Sequence, residues 1–210
     1  MIKILIADDH AVVRQGLKQI IADEPDMKLL GEAENAVELL RLVRTTEIDL
    51  VILDISMSGK SGLDVLPEIL NLSSKIKILI LSMHAEEQFA VRALKSGANG
   101  YITKQSAPTE LVRAIRKVSG GGRYVSESIA EQLAFFVGSD TTKLQHERLS
   151  DREFQVLRRI AEGRTLKEIA DELFISEKTV GTYRMRILEK MNMKRNAELI
   201  RYAVQNKLVE

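Results

Sequence analysis

Hydrophobic positions along the first 120 residues follow two alternating rhythms. Short apolar runs of strand length fall at about 2–7, 27–33, 49–53, 76–81 and 99–102. Between them, at about 12–23, 35–46, 63–71, 86–96 and 106–119, apolar residues recur with helical spacing. Strands that alternate with helices predict a parallel sheet covered on both faces, an α/β doubly wound domain of five strands. In such a sheet, functional groups collect beyond the carboxyl ends of the strands.

The rhythm breaks at "SGGGR" (119–123), where three consecutive glycines stop the fifth helix. Residues 126–137, SESIAEQLAFFV, predict one connecting helix, and the polar stretch 138–146 predicts a mobile linker. From Leu149 onward the periodicity is purely helical. Ser150 with Glu153, and Thr165 with Glu168, have the spacing of capping boxes, and Leu149 with Phe154 fits a hydrophobic staple. Ser176 and Asn196 are candidate caps for two further helices. The predicted helices are 151–162, 166–173, 177–191 and 196–206, an all-α four-helix bundle. The expected organisation is a first domain over 1–122, a connection over 123–147 and a second domain over 148–210.

Composition narrows the function classes. The 210 residues contain no cysteine, which excludes disulfides and thiolate chemistry and suits a reducing cytoplasm. No apolar run approaches the roughly 20 residues of a membrane span, and the first residues lack the layout of a signal peptide, so the expected location is cytoplasmic with no membrane partner. Net charge is uneven: −2 over residues 1–146 against +3 over 147–210. A basic helical domain hints at nucleic acid.

Asp8 and Asp9 end the first predicted strand and Asp54 ends the third. A single Asp after a strand is commonly a turn residue or a cap. Three at adjacent strand tips would repel one another unless a cation sits among them or protons are retained. Mg²⁺, a hard ion that prefers oxygen ligands and keeps several waters, is the natural candidate. Ser82 follows the fourth strand, Tyr101 lies in the fifth and Lys104 follows it. A lysine beside carboxylates can neutralise a transferred anionic group, and a hydroxyl there can hydrogen-bond it. "GKS" at 59–61 imitates a P-loop, but the pattern would require glycine where Asp54 stands. Ser56 stands where a dehalogenase-like phosphatase would carry its second Asp, which argues against an enzyme of that kind.

The segments "ADDH", "ILDISM", "LSMH" and "GYITK", in this order and spacing, resemble the receiver domain of two-component response regulators, a flavodoxin-like fold. The resemblance implies that Asp54 accepts a phosphoryl group from a sensor histidine kinase. It implies that Asp9, Asp54 and the backbone carbonyl of Ser56 bind Mg²⁺, with Asp8 acting through water. Lys104 would pair with phosphoryl oxygens, and Ser82 and Tyr101 would be switch residues. A carboxylate is a competent phosphoryl acceptor, and transfer depends chiefly on positioning and charge neutralisation.

The stretch LSDREFQVLRRIAEGRTLKEIADELFISEKTVGTYRMRILEKM resembles the LuxR-type helix-turn-helix of NarL/FixJ-family regulators. That resemblance implies that 177–190 enters the major groove of double-stranded DNA, with Lys178, Thr179, Thr182 and Met185 near bases or backbone. Lys167, Arg186 and Lys190 would contact phosphates. The last helix would form a homodimer on two-fold related half-sites. The expected protein is therefore a transcription regulator and not an enzyme. Three positions depart from the family pattern: Gly181 and Tyr183 in the recognition helix, and Ser58, where the family has Pro beside the phosphorylation site.

Overall fold

The computed structural model describes residues 1–57, 60–83, 87–126, 129–130, 144–206 and 208–209. Ser58 and most of the expected connecting helix at 126–137 lie outside the described residues. The chain divides into two compact units, Met1–Ser139 and Asp140–Glu210.

In the first unit the strands are β1 (Ile2–Ala7), β2 (Met27–Ala33), β3 (Leu50–Asp54), β4 (Lys77–Ser82) and β5 (Gly100–Thr103). They alternate with α1 (Ala11–Ala22), α2 (Ala36–Thr45), α3 (Gly62–Leu72), α4 (Glu87–Lys95) and α5 (Ala107–Ser119). All strand pairs are parallel, in the order β2-β1-β3-β4-β5. The strand order reverses at β1/β3, so the crevice of this doubly wound sheet opens beyond the carboxyl ends of those two strands.

Period-two side-chain alternation explains the continuous apolar runs. Ile4, Ile6, Leu50, Ile52, Leu79, Leu81 and Ile102 belong to one buried cluster with Leu17 and Ile21 of α1 and Leu111 and Ile115 of α5. The intervening residues Leu5, Val51, Leu53, Ile78 and Ile80 are also fully buried. The central strands β1, β3 and β4 are covered on both sides, as a parallel sheet requires, while the edge strand β2 is partly exposed.

The second unit contains a short 3₁₀ turn (Gln145–Arg148), then α6 (Asp151–Ala161), α7 (Leu166–Glu172), α8 (Glu177–Lys190) and α9 (Asn196–Gln205). Helix α6 packs against both α8 and α9, and α7 packs against α8. Both expected capping boxes form: Ser150 and Thr165 accept from the backbone N–H groups of Glu153 and Glu168, whose carboxylates reach back. Ser176 accepts from Thr179 N–H and caps α8.

Asn196 departs from its expected role. The cap position of α9 is Arg195 and carries no side-chain cap bond, while Asn196 is the first helical residue. The Asn196 amide oxygen instead accepts from Arg184 Nε at 2.7 Å. A charged donor outcompetes the weaker local bond that capping would supply.

Candidate functional site

Strands β1 and β3 lie side by side, with Ala7 opposite Leu53. Their apolar residues anchor both strands in the core, so the polar residues that follow emerge together. Asp8 and Asp54 are buried and Asp9 is half-buried. Ligand atoms of Asp8, Asp9, Asp54 and His10 all lie within 4.8 Å of one another. His10 was not assigned a role from sequence, although it closes the "ADDH" motif. Its Nδ1 lies 3.1 Å from Asp8 Oδ1 and 2.8 Å from Asp9 Oδ1.

Lys104 comes to this cluster from the far side of the sheet. Its ammonium lies 2.7 Å from Asp8 Oδ2 and 2.9 Å from Asp54 Oδ2, and its side chain is almost wholly buried. The Lys104 N–H donates to the Ser82 carbonyl at 2.7 Å, which fixes the start of the reach. Burial pushes the Asp54 carboxyl above its ordinary value; the Asp8 charge adds to this and Lys104 opposes it. Burial lowers the Lys104 ammonium, but the charges of Asp54 and Asp8 outweigh that and hold it above its ordinary value.

Three carboxylates against one ammonium leave two negative charges when His10 is neutral. Asp54 Oδ1 is buried without a hydrogen-bond partner. An oxygen-rich cluster with this surplus and an unsatisfied buried oxygen fits a hard divalent cation. Ser56, half-buried, stands two residues past the strand tip. Ser82 and Tyr101 are buried beside the pocket. Burial raises the Tyr101 hydroxyl to about 12, against the lowering effect of its hydrogen bond with the Ser82 side chain.

Two supports of the pocket carried no motif signal. Arg14, almost fully buried in α1, donates from its Nη1 to the Asp8 carbonyl at 2.6 Å and pairs with Glu34 and Glu32. Gly62 opens α3 against the back of β3. A Cβ there would collide with the Asp54 carbonyl oxygen and come within 3.2 Å of Ile55 Cα. Gly62 N–H and the Ser61 hydroxyl both donate to the Ile55 carbonyl, at 3.0 and 3.2 Å.

In the second unit, Val180, Ile187 and Met191 are buried, whereas Lys178, Thr182, Met185 and Arg186 are exposed. Lys167 is exposed on α7. Thr182 Oγ1 donates back to the Lys178 carbonyl at 3.0 Å, and the Thr179 hydroxyl pairs with Ser176 Oγ at 2.7 Å. Lys190 is engaged within the unit: its ammonium donates to Glu153 Oε2 at 2.6 Å. Burial alone would raise the Glu153 carboxyl, but Lys190 and the Ser150 N–H together hold it below its ordinary value.

The chain matches two family models: the response regulator receiver domain over residues 4–116, and the luxR family of bacterial regulatory proteins over residues 147–203. Response regulator UvrY of Escherichia coli is 36% identical over 209 residues, spanning 99% of this chain and 96% of that protein. Response regulator GacA of Pseudomonas aeruginosa is 37% identical over 214 residues, covering 100% of this chain and 99% of that protein. Among solved structures, the RcsB response regulator of Salmonella typhimurium aligns with a TM-score of 0.60 at 27% identity, over 97% of this chain and 98% of its own. The chain thus belongs to the NarL/FixJ family of response regulators, transcription regulators that join a receiver domain to a LuxR-type DNA-binding domain.

Proposed function

We propose that Asp54 is the phosphoacceptor of this regulator and that its phosphorylation controls DNA binding. The observation that carries this reading is the fully buried Asp54 carboxylate, with Lys104 Nζ at 2.9 Å and two further acids around it. An Asp54 oxygen attacks phosphorus on the phosphohistidine of a sensor histidine kinase. The new O–P bond forms as the P–N bond breaks, and the electron pair leaves on the imidazole. Lys104, already held at the site, balances the anionic oxygens that arrive, so little reorganisation is needed.

Asp9, Asp54 and the Ser56 carbonyl would hold Mg²⁺ directly, with Asp8 acting through water. The ion would supply charge neutralisation and in-line positioning for the incoming phosphoryl group. His10 lies among these acids, and its imidazole must turn aside or share the site. Ser82 and Tyr101 are the switch: the Ser82 hydroxyl can bond the arriving phosphoryl group in place of Tyr101.

Residues 1–122 form the receiver, 123–147 the connection and 148–210 the DNA-binding domain. Helix α8 reads the major groove through Lys178, Thr179, Thr182 and Met185, and Lys167 and Arg186 hold phosphates; Lys190 would do so by leaving or sharing its bond to Glu153. RcsB has been seen bound to promoter DNA in the presence of the phosphomimetic BeF₃⁻, and as dimers on DNA, which supports the same output here. Ile200 and Val204, one helical turn apart on α9, are exposed apolar residues suited to a two-fold contact. Among the described residues no helix is long and apolar enough to cross a membrane, which is compatible with the cytoplasmic location proposed. The protein acts stoichiometrically as a switch and not as a turnover enzyme.

The test is intact-protein mass with acetyl phosphate and Mg²⁺, alongside binding to genomic DNA fragments with and without that treatment. One phosphoryl group should be gained and DNA binding strengthened. An Asp54→Asn protein that still gains it would refute the site.

A further inference from the structure

Among the described residues, five helices end in one hydrogen-bonded pattern. After α4, α5, α6, α7 and α8, the residue past the cap bonds back to the third residue before it, and the next residue bonds to the fifth before it. The pairs are Gly97 to Leu94 with Ala98 to Ala93, and Gly121 to Val118 with Gly122 to Lys117. The others are Gly163 to Ile160 with Arg164 to Arg159, Phe174 to Asp171 with Ile175 to Ala170, and Asn192 to Glu189 with Met193 to Leu188. This Schellman turn requires a left-handed residue at its first position. The φ values are 105°, 87°, 81°, 53° and 53°. Three of the five positions are glycine and one is asparagine, the residues that tolerate this backbone best. The fifth is Phe174, whose bulky aromatic side chain makes it a costly choice.

Nothing in the fold repays that cost. The turn's hydrogen bonds come from the backbone and would form with glycine or asparagine. The phenyl ring is 87% exposed, so core burial does not repay the strain either. A strained, exposed apolar residue points to a role outside the fold. Phe174 stands three residues before α8, in the turn from which that helix departs. Along the exposed face that follows are Lys178, Thr182, Met185 at 68% exposure, and Arg186. Its nearest exposed neighbours in sequence, Asp171, Glu172, Ser176, Glu177 and Lys178, are polar or charged. The exposed positions next to it in sequence carry charge, which the dry centre of a protein-docking face would exclude. An exposed ring three residues before a helix whose solvent side carries Lys178 and Arg186 suits a ligand that is apolar between charged groups: the deoxyribose walls of a DNA groove and the C5 methyl of thymine.

We propose that Phe174 is a DNA-contacting residue that packs its ring on deoxyribose or a thymine methyl at the edge of the groove entered by α8. The inference rests on α8 being the recognition helix. The contact adds affinity without neutralising a phosphate, so it acts independently of salt.

The test uses the full-length protein treated with acetyl phosphate and Mg²⁺, and a duplex that it selects from a random-sequence pool. Dissociation constants are measured across a salt series for the wild type, Phe174→Asn, Phe174→Tyr and Arg186→Ala. Phe174→Asn should weaken binding roughly fivefold or more, by analogy with apolar base contacts, with an unchanged salt slope. The same variant should melt higher, because asparagine relaxes the left-handed turn. Phe174→Tyr should stay within about twofold of wild type, since the ring is kept. Replacing thymine by deoxyuridine in the duplex identifies the contact: a loss seen only when Phe174 is present assigns it to the methyl, and no loss assigns it to the sugar.

Unchanged affinity in Phe174→Asn overturns the proposal, including the case where transcription falls while DNA affinity holds, which would assign the ring to a protein partner. A lower melting temperature overturns it too, because the ring would then be structural. If Arg186→Ala weakens binding and Phe174→Asn does not, only this inference fails. If neither affects binding, the recognition-helix reading fails with it.

Discussion

The acid pocket of the receiver and the outer face of α8 both gather charge, but in opposite environments. Asp8, Asp54 and Lys104 are out of water, and each is held by strand tips that the core fixes. Lys178 and Arg186 stand in solvent on one helix. A buried charge is costly unless paired, so each member of the pocket depends on the others and no single one can be moved independently. Exposed charges are screened and act nearly independently, so the helix face can change residue by residue. The pocket is thus suited to a fixed chemical step, and the helix face to a variable sequence preference.

The largest expected effect breaks the pocket. Asp54→Asn should reduce phosphoryl incorporation from acetyl phosphate to background, measured by intact mass, while circular dichroism stays native. If incorporation persists at another residue, the pocket is not the single acceptor that this contrast needs. Next comes Gly62→Ala, which forces a Cβ against the Asp54 carbonyl. It should cost about 2–4 kcal/mol of receiver stability in urea unfolding, the range of a severe backbone clash. An unchanged midpoint would show that the strand tip has slack and would weaken the contrast.

Glu153 blurs the contrast usefully, since it is a buried charge within the helical unit. Glu153→Gln should destabilise that unit by about 1–3 kcal/mol at neutral pH, as Lys190 and the Ser150 N–H lose their charged acceptor. Its carboxyl is held below the ordinary value of 4.5, so its contribution is present above that pH and is lost as pH falls through the lowered value. Wild type should therefore lose stability in acid more steeply than Glu153→Gln, a difference that thermal melts across a pH series would detect. On the exposed face, Arg186→Ala should reduce the slope of log affinity against log salt by about 1, the signature of one phosphate contact. The smallest effect is Gly181→Ala. No atom lies within 4 Å of the Cβ it would add, so about 1 kcal/mol of stability should be gained from helix propensity.

The same contrast explains what the sequence made legible. The convergence of Asp8, Asp9 and Asp54 was readable because strand ends are marked by local hydrophobic runs and a parallel sheet places adjacent tips together. Both capping boxes were readable because donor and acceptor lie three residues apart. Arg14 was not, because its partner is a backbone carbonyl in another element and no pattern of residue types marks such a bond. Lys190 was expected to contact phosphate, and its tie to Glu153, 37 positions away, left no mark in the sequence. Asn196 failed as a cap because Arg184, twelve residues earlier, takes its oxygen. Phe174 falls between the predicted helices 166–173 and 177–191 but gave no sign of a left-handed backbone, since sequence marks that conformation by glycine or asparagine.

The close fit between Gly62 and Asp54 bears on how such receivers can be rebuilt. The acceptor strand, the Ile55 carbonyl with its two donors and the first residue of α3 lie within one short run of chain, from Leu50 to Gly62. The described backbone contacts that present Asp54 are therefore local to that segment and would travel with it into another sheet. The neutralising lysine is not portable in this way. It arrives from 50 residues downstream, so a chimera would inherit the acceptor but would depend on its new host for the countercharge.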